Sequence, residues 1–552
     1  MPTLPEGLVL IGDTTAPRGR GLAATRDFQP GQRIATFNSP SIAIASSPQI
    51  GMTCSGCLLV SKPPELGPPE EKLLSGRVAR ACTGCRTVAY CSTECQKLDW
   101  TTGGHKAECK IFKRVRDEGH DALPTPVRAL LQVYLRPGIK ASMAELQSHI
   151  EVQRSIESWR DMELQIMAAL HYLGREDTNE NMSEGLRILL KLQVNAFSRL
   201  DEDVGQSGLY MNPALAMVNH SCMPNAFVQF VGRKAVLHAY QEIKKDEEIQ
   251  ISYIDCNQHL AQRQEDLMER YYFTCTCSRC KDDMDVYQVC RAYPHLIMNR
   301  FSVAPHIQNL QESDPPGILS GNKSLSATIK EILPWCSGPL EEKLSGADKK
   351  KELSRRWQAC KPLRDSSPPA YAIDPFPRTL SEAGIYFGQQ GNYIYGLVIA
   401  CFLATRVDPY RAAAPFAPQR VKGLWMIVKL TALAAPGQRE IPPGLRGDIY
   451  EFLSTKVDHP LMCQIILELI VYYAPAAHSS QWAVFNEAKN MLADLEAVPT
   501  REEERKFVKL FMQDPNGVGE RDFFENAVIH PLRELADFCL EVMDEEFGVQ
   551  ST

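Results

Sequence analysis

Seven cysteines and one histidine near the start of the chain have spacings typical of metal ligands. They form four pairs, Cys54 with Cys57, Cys82 with Cys85, Cys91 with Cys95, and His105 with Cys109. Each pair can place two ligands on one tetrahedral ion, so eight ligands complete two closed structural zinc sites with no position for water. The cluster is predicted to be a folded binding module, and any catalysis must therefore lie elsewhere.

An interleaved pairing is predicted for these ligands. The first and third pairs would hold one ion (Cys54, Cys57, Cys91, Cys95), and the second and fourth pairs would hold the other (Cys82, Cys85, His105, Cys109). Such a cross-brace stabilises a module too short for its own hydrophobic core. The arrangement resembles the MYND zinc finger, with a long loop from Leu58 to Ala81 and nine residues between Cys95 and His105 as local departures.

A second group of reactive residue types begins with Asn219-His220-Ser221-Cys222 and continues with Glu247, Glu248 and Tyr253. Histidine beside serine and cysteine could indicate nucleophilic catalysis. Adjacent residues rarely form a hydrolytic dyad, however, and no G-x-S-x-G elbow accompanies them. The two glutamates precede a predicted strand and are expected to stabilise a turn through backbone hydrogen bonds.

The order of the motifs carries a family resemblance. Arg18 to Gly21, Asn219 to Cys222, Glu247 to Tyr253 and Cys275-x-Cys277-x2-Cys280 follow one another as in SET-domain lysine methyltransferases with a post-SET zinc site. With the finger inserted after the first strands, the chain resembles the SET-and-MYND family over residues 18–113 and 190–280. The resemblance implies an S-adenosylmethionine-dependent protein-lysine N-methyltransferase acting on histone or non-histone proteins.

The resemblance also implies roles for individual residues. Gly19 and Gly21 would let backbone approach the cofactor, and a larger side chain at either would intrude. Arg20 would pair with the cofactor's carboxylate, Asn219 and His220 would hold its amino acid and adenine portions, and Phe273 would stack on adenine or pack in the core. The full set of implied cofactor contacts is Arg18, Gly19, Arg20, Gly21, Asn195, Asn219, His220, Tyr253 and Phe273.

The catalytic hydroxyl is expected at Tyr253, which would orient the lysine amine beside the methyl group. Phe197 and Tyr271 would line the lysine channel. The doublet Tyr271-Tyr272 leaves open which ring points inward, although counting back from Cys275 favours Tyr271.

A third zinc site follows from ligand counting. Cys275, Cys277 and Cys280 supply three thiolates, and a structural tetrahedral site needs four. The family resemblance makes Cys222 the fourth ligand, with Cys256 as a rival. Three zinc ions are therefore expected in all.

Hydrophobic periodicity predicts an α+β chain in which a β-rich SET domain is split by two insertions. The expected parts are residues 1–50 (SET, first part), 51–112 (MYND finger), 113–200 (helical insertion), 201–256 (SET core), 257–283 (cysteine-rich post-SET), 284–377 (irregular linker with weak helices) and 378–552 (α-helical, TPR-like domain).

Bulk composition limits the partners. The net charge of -7 creates no global positive field that would attract nucleic acid or anionic membrane. No secretion signal or membrane span is expected. The paired cysteines favour a reducing compartment, the nucleus or the cytoplasm.

Two rival interpretations stay open. One is a non-catalytic adaptor whose finger binds Pro-rich peptides. The other is a zinc-finger transcriptional regulator that binds nucleic acid through basic residues such as Arg86, Lys106 and Lys110, which the net acidity disfavours.

Overall fold

A computed structural model describes residues 3–12, 19–60, 79–150, 156–201, 205–311, 322–336, 338–341, 343–435, 444–499, 501–515 and 517–548. The chain divides into two compact units. The first comprises Met1–Ile254 and Gln264–Cys275, and the second comprises Asp255–Arg263 and Thr276–Thr552.

The first unit contains the strands, all of them short. In chain order β1 to β12 are Leu8–Ile11, Gly21–Ala24, Arg33–Phe37, Ile42–Ala45, Arg80–Ala81, Ala89–Tyr90, Phe197–Asp201, Gly205–Met211, Asn219–His220, Ala226–Val231, Lys234–Ala239 and Glu248–Ile251. They form sheets in the orders β1-β2-β12-β9, β10-β11-β3 and β4-β8-β7, and β5 pairs with β6. The described residues thus bear out a β-rich domain divided by insertions.

Runs of mostly apolar residues form the strands β10 and β11. β10 and β11 pair in antiparallel register from Ala226 and Ala239 to Val231 and Lys234, and Gly232 in the connecting turn has a φ of +56°. The apolar side chains of these strands join Leu22, Ile249 and Ile251 in one buried core. This core supports the sheet on which the chemically active motifs lie.

Helices interrupt the strands between β4 and β7. The helices α1 to α6 of this part of the chain are Thr93–Leu98, His105–Asp117, Thr125–Leu135, Pro137–Ser142, Ile156–Leu173 and Asn179–Asn195, and α7 (Leu260–Tyr271) follows β12. Cys54, Cys109 and Phe112 of the finger share a buried cluster with Leu130 of α3. The finger therefore shares a hydrophobic core with the neighbouring helices, as expected for a module too short to form its own.

The second unit is helical in its described residues. Its helices α8 to α23 are Ser278–Lys281, Val286–Ala292, Lys323–Cys336, Gly346–Ala359, Lys361–Arg364, Phe376–Gln389, Tyr393–Phe402, Asp408–Arg411, Pro418–Ala434, Gly447–Lys456, His459–Ala477, Ala483–Glu496, Glu502–Gln513, Val518–Phe524, His530–Asp537 and Cys539–Phe547. The segment expected as an irregular linker is more ordered than predicted, because α11 buries Leu353 and Trp357 completely.

One helix of this unit is long and apolar enough to cross a membrane by length and composition alone. It is α18, His459–Ala477, and 61% of its apolar window is buried inside the protein. The sequence analysis did not single out this segment.

Candidate active site and zinc-ligand clusters

Strand β12 brings the separated motifs together. It pairs antiparallel with β2, where Glu248 lies opposite Ala23 and Ile249 opposite Leu22. On its other side it pairs parallel with β9, where Gln250 lies opposite Asn219 and Ile251 opposite His220. The Asn219 Nδ2 consequently donates a hydrogen bond of 2.8 Å to Glu248 Oε1.

Gly21 faces this pair of side chains. A Cβ at Gly21 would lie 2.8 Å from Glu248 Oε1 and 2.9 Å from Asn219 Nδ2, so the protein's own side chains exclude a larger residue here. The approach of this backbone to the cofactor stays a prediction. Gly19 needs a different explanation. Nothing lies within 4 Å of a Cβ placed there, but its φ of +68° is the left-handed backbone that glycine adopts most readily.

His220 lies at the centre of an aromatic group. Its ring centroid is 5.2 Å from that of Tyr253 and 5.9 Å from that of Phe273. His220 Nδ1 accepts a 3.0 Å hydrogen bond from the Tyr253 backbone N–H, and Nε2 lies 3.3 Å from Cys222 Sγ. Because Nδ1 is an acceptor, the proton of the neutral ring lies on Nε2 and is directed at the Cys222 sulfur.

The Tyr253 hydroxyl is held in place. It donates a hydrogen bond of 2.6 Å to the backbone oxygen of Val218. Burial raises the pKa of Tyr253 above its usual value, and the neighbouring Tyr271 and Glu248 raise it further. The phenol is therefore neutral at physiological pH, and its oxygen keeps lone pairs free to accept a hydrogen bond.

The ring next to Tyr253 is Tyr271. The two centroids are 4.8 Å apart, and the Tyr271 hydroxyl donates to the Tyr253 backbone oxygen over 3.4 Å. Tyr272 has a φ of +60° and contacts His149 at 5.8 Å. The geometry thus favours Tyr271 over Tyr272 as the ring that lies beside Tyr253, in agreement with the count back from Cys275.

Two predicted residues lie at the end of the helical insertion. Phe197 begins β7, and both it and Tyr253 pack against the same buried core. Asn195 ends α6, where its Nδ2 donates to the backbone oxygens of Gln147 at 2.9 Å and Lys191 at 2.8 Å. The roles assigned to Phe197 and Asn195 stay predictions.

The predicted partner of Arg20 differs from the one observed. Its guanidinium donates to the Glu145 carboxylate at 3.0 Å and to the Glu145 backbone oxygen at 2.8 Å. The Arg20 guanidinium, which was expected to bind the cofactor's carboxylate, thus forms an ion pair with a carboxylate of the protein. Arg18 lies outside the described residues.

The two glutamates have different roles. Glu247 accepts from the Lys244 backbone N–H at 2.9 Å, which stabilises the predicted turn. Glu248 was expected to do the same, and that prediction was wrong, because Glu248 begins β12 and accepts from the side chains of Asn219 and Gln250.

Sequence reasoning did not assign a role to Asn225. This side chain is 5% exposed. Its Nδ2 donates to the Glu248 backbone oxygen at 2.9 Å, and its Oδ1 accepts from the Gln250 N–H at 2.8 Å. Asn225 therefore supports the edge of β12. Its place three residues after the Asn219-His220-Ser221-Cys222 motif was the sequence signal that could have identified it.

The finger contains two groups of ligand atoms, each within 4.8 Å of one another. The groups are Cys54, Cys57, Cys91 and Cys95, and Cys82, Cys85, His105 and Cys109. This confirms the interleaved cross-brace.

The donor atoms fit zinc. Zn–S bonds of about 2.3 Å in a tetrahedron place ligand atoms about 3.8 Å apart. The Sγ atoms of Cys57 and Cys91 are 3.7 Å apart, and Cys85 Sγ lies 3.8 Å from His105 Nε2.

A buried ion pair supports the histidine ligand from behind. Glu108 Oε2 lies 3.7 Å from His105 Nδ1, and the Arg128 Nε donates to Glu108 Oε1 at 2.8 Å. Burial alone would raise the pKa of Glu108, but Arg128 and His105 lower it to about 2. A charged carboxylate behind a zinc-bound imidazole sets the orientation of the ring.

The third predicted group is also present. The sulfurs of Cys222, Cys275, Cys277 and Cys280 lie within 4.8 Å of one another. Among the residues that the structure describes, this group does not include Cys256, so the geometry favours Cys222 as the fourth ligand.

Comparisons with known proteins agree with these features. A family model for the SET domain matches residues 19–254. SET domain and MYND-type zinc finger protein 6 of Schizosaccharomyces pombe is 33% identical over 280 residues, which are 50% of this chain and 52% of that protein. Histone-lysine N-methyltransferase SMYD3 of Homo sapiens is 27% identical over 278 residues, 48% of this chain and 60% of that protein.

The extent of these matches is limited. The chain spans little more than half the length of the relatives it matches. The crystal structure of the SET domain of LSMT bound to lysine and AdoHcy covers 95% of both chains with 12% identity, but its TM-score of 0.21 is too low to support an argument.

Proposed function

We propose that this chain is a member of the SET-and-MYND family and an S-adenosylmethionine-dependent protein-lysine N-methyltransferase. The observation that carries the proposal is the neutral Tyr253 hydroxyl beside Tyr271, next to the strand that presents Asn219 and His220. S-adenosylmethionine supplies an electrophilic methyl group on a sulfonium sulfur, which leaves as a thioether when the amine nitrogen forms its bond to carbon.

The residues around Gly21 fit such a cofactor. The missing side chain of Gly21 leaves room for the Asn219 and Glu248 side chains to approach β2, and Asn219 and His220 are partly buried on the neighbouring strand. Asn219 and His220 would hold the amino acid and adenine portions, and Phe273, whose ring contacts His220, would cover the adenine.

The substrate lysine must lose its proton before transfer, because its free pKa is about 10.4. The aromatic rings of Tyr253 and Tyr271 supply partly apolar walls, which favour the neutral amine. The Tyr253 hydroxyl donates its hydrogen bond to Val218 O, so its oxygen is available to accept a hydrogen bond from an N–H of the amine and orient the nitrogen lone pair.

The test uses labelled S-adenosylmethionine with mixed histone and cytosolic proteins as acceptors. The wild-type chain is expected to transfer label to protein lysine, and an Asn219→Ala/His220→Ala variant is expected to lose the transfer. A folded wild-type chain that shows no cofactor binding by calorimetry would refute the proposal and favour the adaptor interpretation.

The finger would guide Pro-rich peptide partners to the enzyme. Leu98 is 52% exposed and Trp100 is 40% exposed, and an exposed indole is a suitable surface for a polyproline helix. We expect Trp100→Ala to weaken binding of a Pro-rich peptide about tenfold while methylation of a free lysine peptide stays within twofold. If the wild type and Trp100→Ala bind the Pro-rich peptide equally well, Trp100 is not part of the docking surface.

The acceptor would be a lysine-bearing protein, with histones among the candidates, in the nucleus or the cytoplasm. None of the eighteen cysteines forms a disulfide in the described structure, which supports a reducing compartment. Imaging of the tagged full chain in cells tests the location, and accumulation in the secretory pathway would contradict it.

A further inference from the structure

The Glu248 carboxylate receives two side-chain amides. Asn219 Nδ2 donates to Oε1 at 2.8 Å, and Gln250 Nε2 donates to Oε2 at 3.0 Å. Strand pairing keeps this arrangement in register, because Gln250 lies directly opposite Asn219. The carboxylate is thus held between two neighbouring strands at the surface proposed to bind the cofactor.

The chemistry of a carboxylate determines how the Asn219 amide is turned. An ionised carboxylate only accepts hydrogen bonds, so Asn219 must present its NH₂ group to Glu248. The Oδ1 atom then points away from the carboxylate and is left as an acceptor. Gly21 makes room for this pair, because a Cβ at that position would lie 2.8 Å from Glu248 Oε1 and 2.9 Å from Asn219 Nδ2.

We propose that Glu248 is a positioning residue for the cofactor. It holds the Asn219 amide in the orientation that offers Oδ1 to a cationic group, which in the methionyl part of the cofactor is the α-ammonium. The proposal rests on the proposed function. It assigns Glu248 an electrostatic and orienting role in place of the turn-forming role expected from the sequence.

The adjacent glutamate provides a matched control. Glu247 accepts from the Lys244 backbone N–H at 2.9 Å and from Asn225 Nδ2 at 3.2 Å. It has the same charge and nearly the same place in the chain, but it does not contact Asn219 in the described structure. A general loss of negative charge would therefore affect both glutamates alike, whereas the orienting role belongs to Glu248 alone.

The experiment measures the affinity for S-adenosylhomocysteine by calorimetry at pH 8. Asn219→Asp places a carboxylate against Glu248, and like charges at this distance repel. We expect affinity to fall at least thirtyfold. Adding Glu248→Gln restores a donor facing the introduced aspartate, whose second oxygen can still accept from the ammonium, so we expect the double variant to recover at least tenfold.

Glu248→Gln alone is expected to weaken binding about tenfold, and Glu247→Gln less than twofold. The proposal is overturned if the double variant binds no better than Asn219→Asp. If Asn219→Asp does not fold, as judged by its thermal transition, Glu248→Gln is compared with Glu247→Gln instead. An equal loss of affinity for S-adenosylhomocysteine in these two variants overturns the proposal. A folded wild-type chain that binds no cofactor removes the proposed function itself and this inference with it.

Discussion

The Tyr253 hydroxyl is both neutral and fixed in direction. It is directed by a single hydrogen bond to Val218 O, and burial keeps the phenol protonated. A neutral, directed hydroxyl cannot act as a general base at physiological pH, but it can orient an amine. At this scale the chemistry depends on positioning more than on proton transfer.

We expect Tyr253→Phe to reduce methyl transfer about 10²-fold or more, because a positioned polar group is lost. Affinity for the cofactor should change less than threefold, since Asn219 and His220 stay in place. Single-turnover kinetics and calorimetry separate the two effects. Tyr272→Phe is the matched control, because the Tyr272 ring contacts His149, whereas the Tyr253 ring contacts Tyr271. Unchanged turnover in Tyr253→Phe would remove this hydroxyl from the mechanism.

At the scale of elements, α7 carries a buried cation with an unusual neighbour. Arg263 is 1% exposed, and its guanidinium donates to the Gln258 backbone oxygen at 2.6 Å and to Cys280 Sγ at 3.8 Å. No carboxylate of the described residues forms an ion pair with it. A site of four thiolates and one Zn²⁺ carries a charge of about -2, so the sulfur of Cys280 supplies the missing counter-charge.

Arg263→Met is therefore expected to lower the zinc content of the chain by about one ion, because the buried thiolates lose their counter-charge. Arg263→Lys keeps the charge and should retain more zinc. Elemental analysis of the purified full chain, with thermal unfolding as a check on folding, measures both variants. Full zinc content in Arg263→Met would show that the contact with Cys280 is only packing.

Helix α15 of the second unit contains a carboxyl group, Asp408, whose pKa is raised by burial. Burial raises the pKa of Asp408 to about 6, although Arg411 and Arg420 oppose the shift. Between about pH 4 and pH 6 the folded protein therefore holds a proton that the unfolded chain has released. Stability contributed by this group falls as pH rises through that window and is constant above it.

Asp408→Asn should remove this dependence. We expect the variant to be more stable than the wild type by about 3 kcal/mol at pH 7.5 and to match it near pH 4, since the shift is about two pKa units and each corresponds to about 1.4 kcal/mol. Arg411 keeps its ion pair with Asp374, which limits side effects. Scanning calorimetry at the two pH values provides the measurement, and an equal difference at both would contradict the assignment.

At the scale of the whole molecule, metal ions are expected to support parts that have little apolar core of their own. The three ligand groups predict three zinc ions per chain. Stripping with a strong chelator should unfold the finger and lower the thermal transition, because zinc binding is coupled to folding in such modules. Native mass spectrometry counts the ions, and a chain with two ions would refute the third site.

Much of this organisation was predictable from local patterns. Ligand pairs such as Cys54 and Cys57 are three residues apart, so chain geometry alone brings each pair to one ion. Hydrophobic patterning likewise predicted a β-rich SET core over residues 201–256, where β10 and β11 lie. The segment 284–377 was harder to interpret, because its helices α10 and α11 are separated by turns and stabilised by packing of residues such as Trp357, which no local pattern reveals.

By itself, the sequence determined which residues could bind metal and which motifs follow one another, since both are set by spacing along the chain. Only the tertiary structure decided that Tyr271 faces Tyr253, that Arg20 pairs with Glu145, and that Glu248 turns the Asn219 amide. The physical reason is that these contacts join residues far apart in the chain. They depend on the register of β12 between β2 and β9, and a shift of one residue would turn every side chain of the strand to the opposite face.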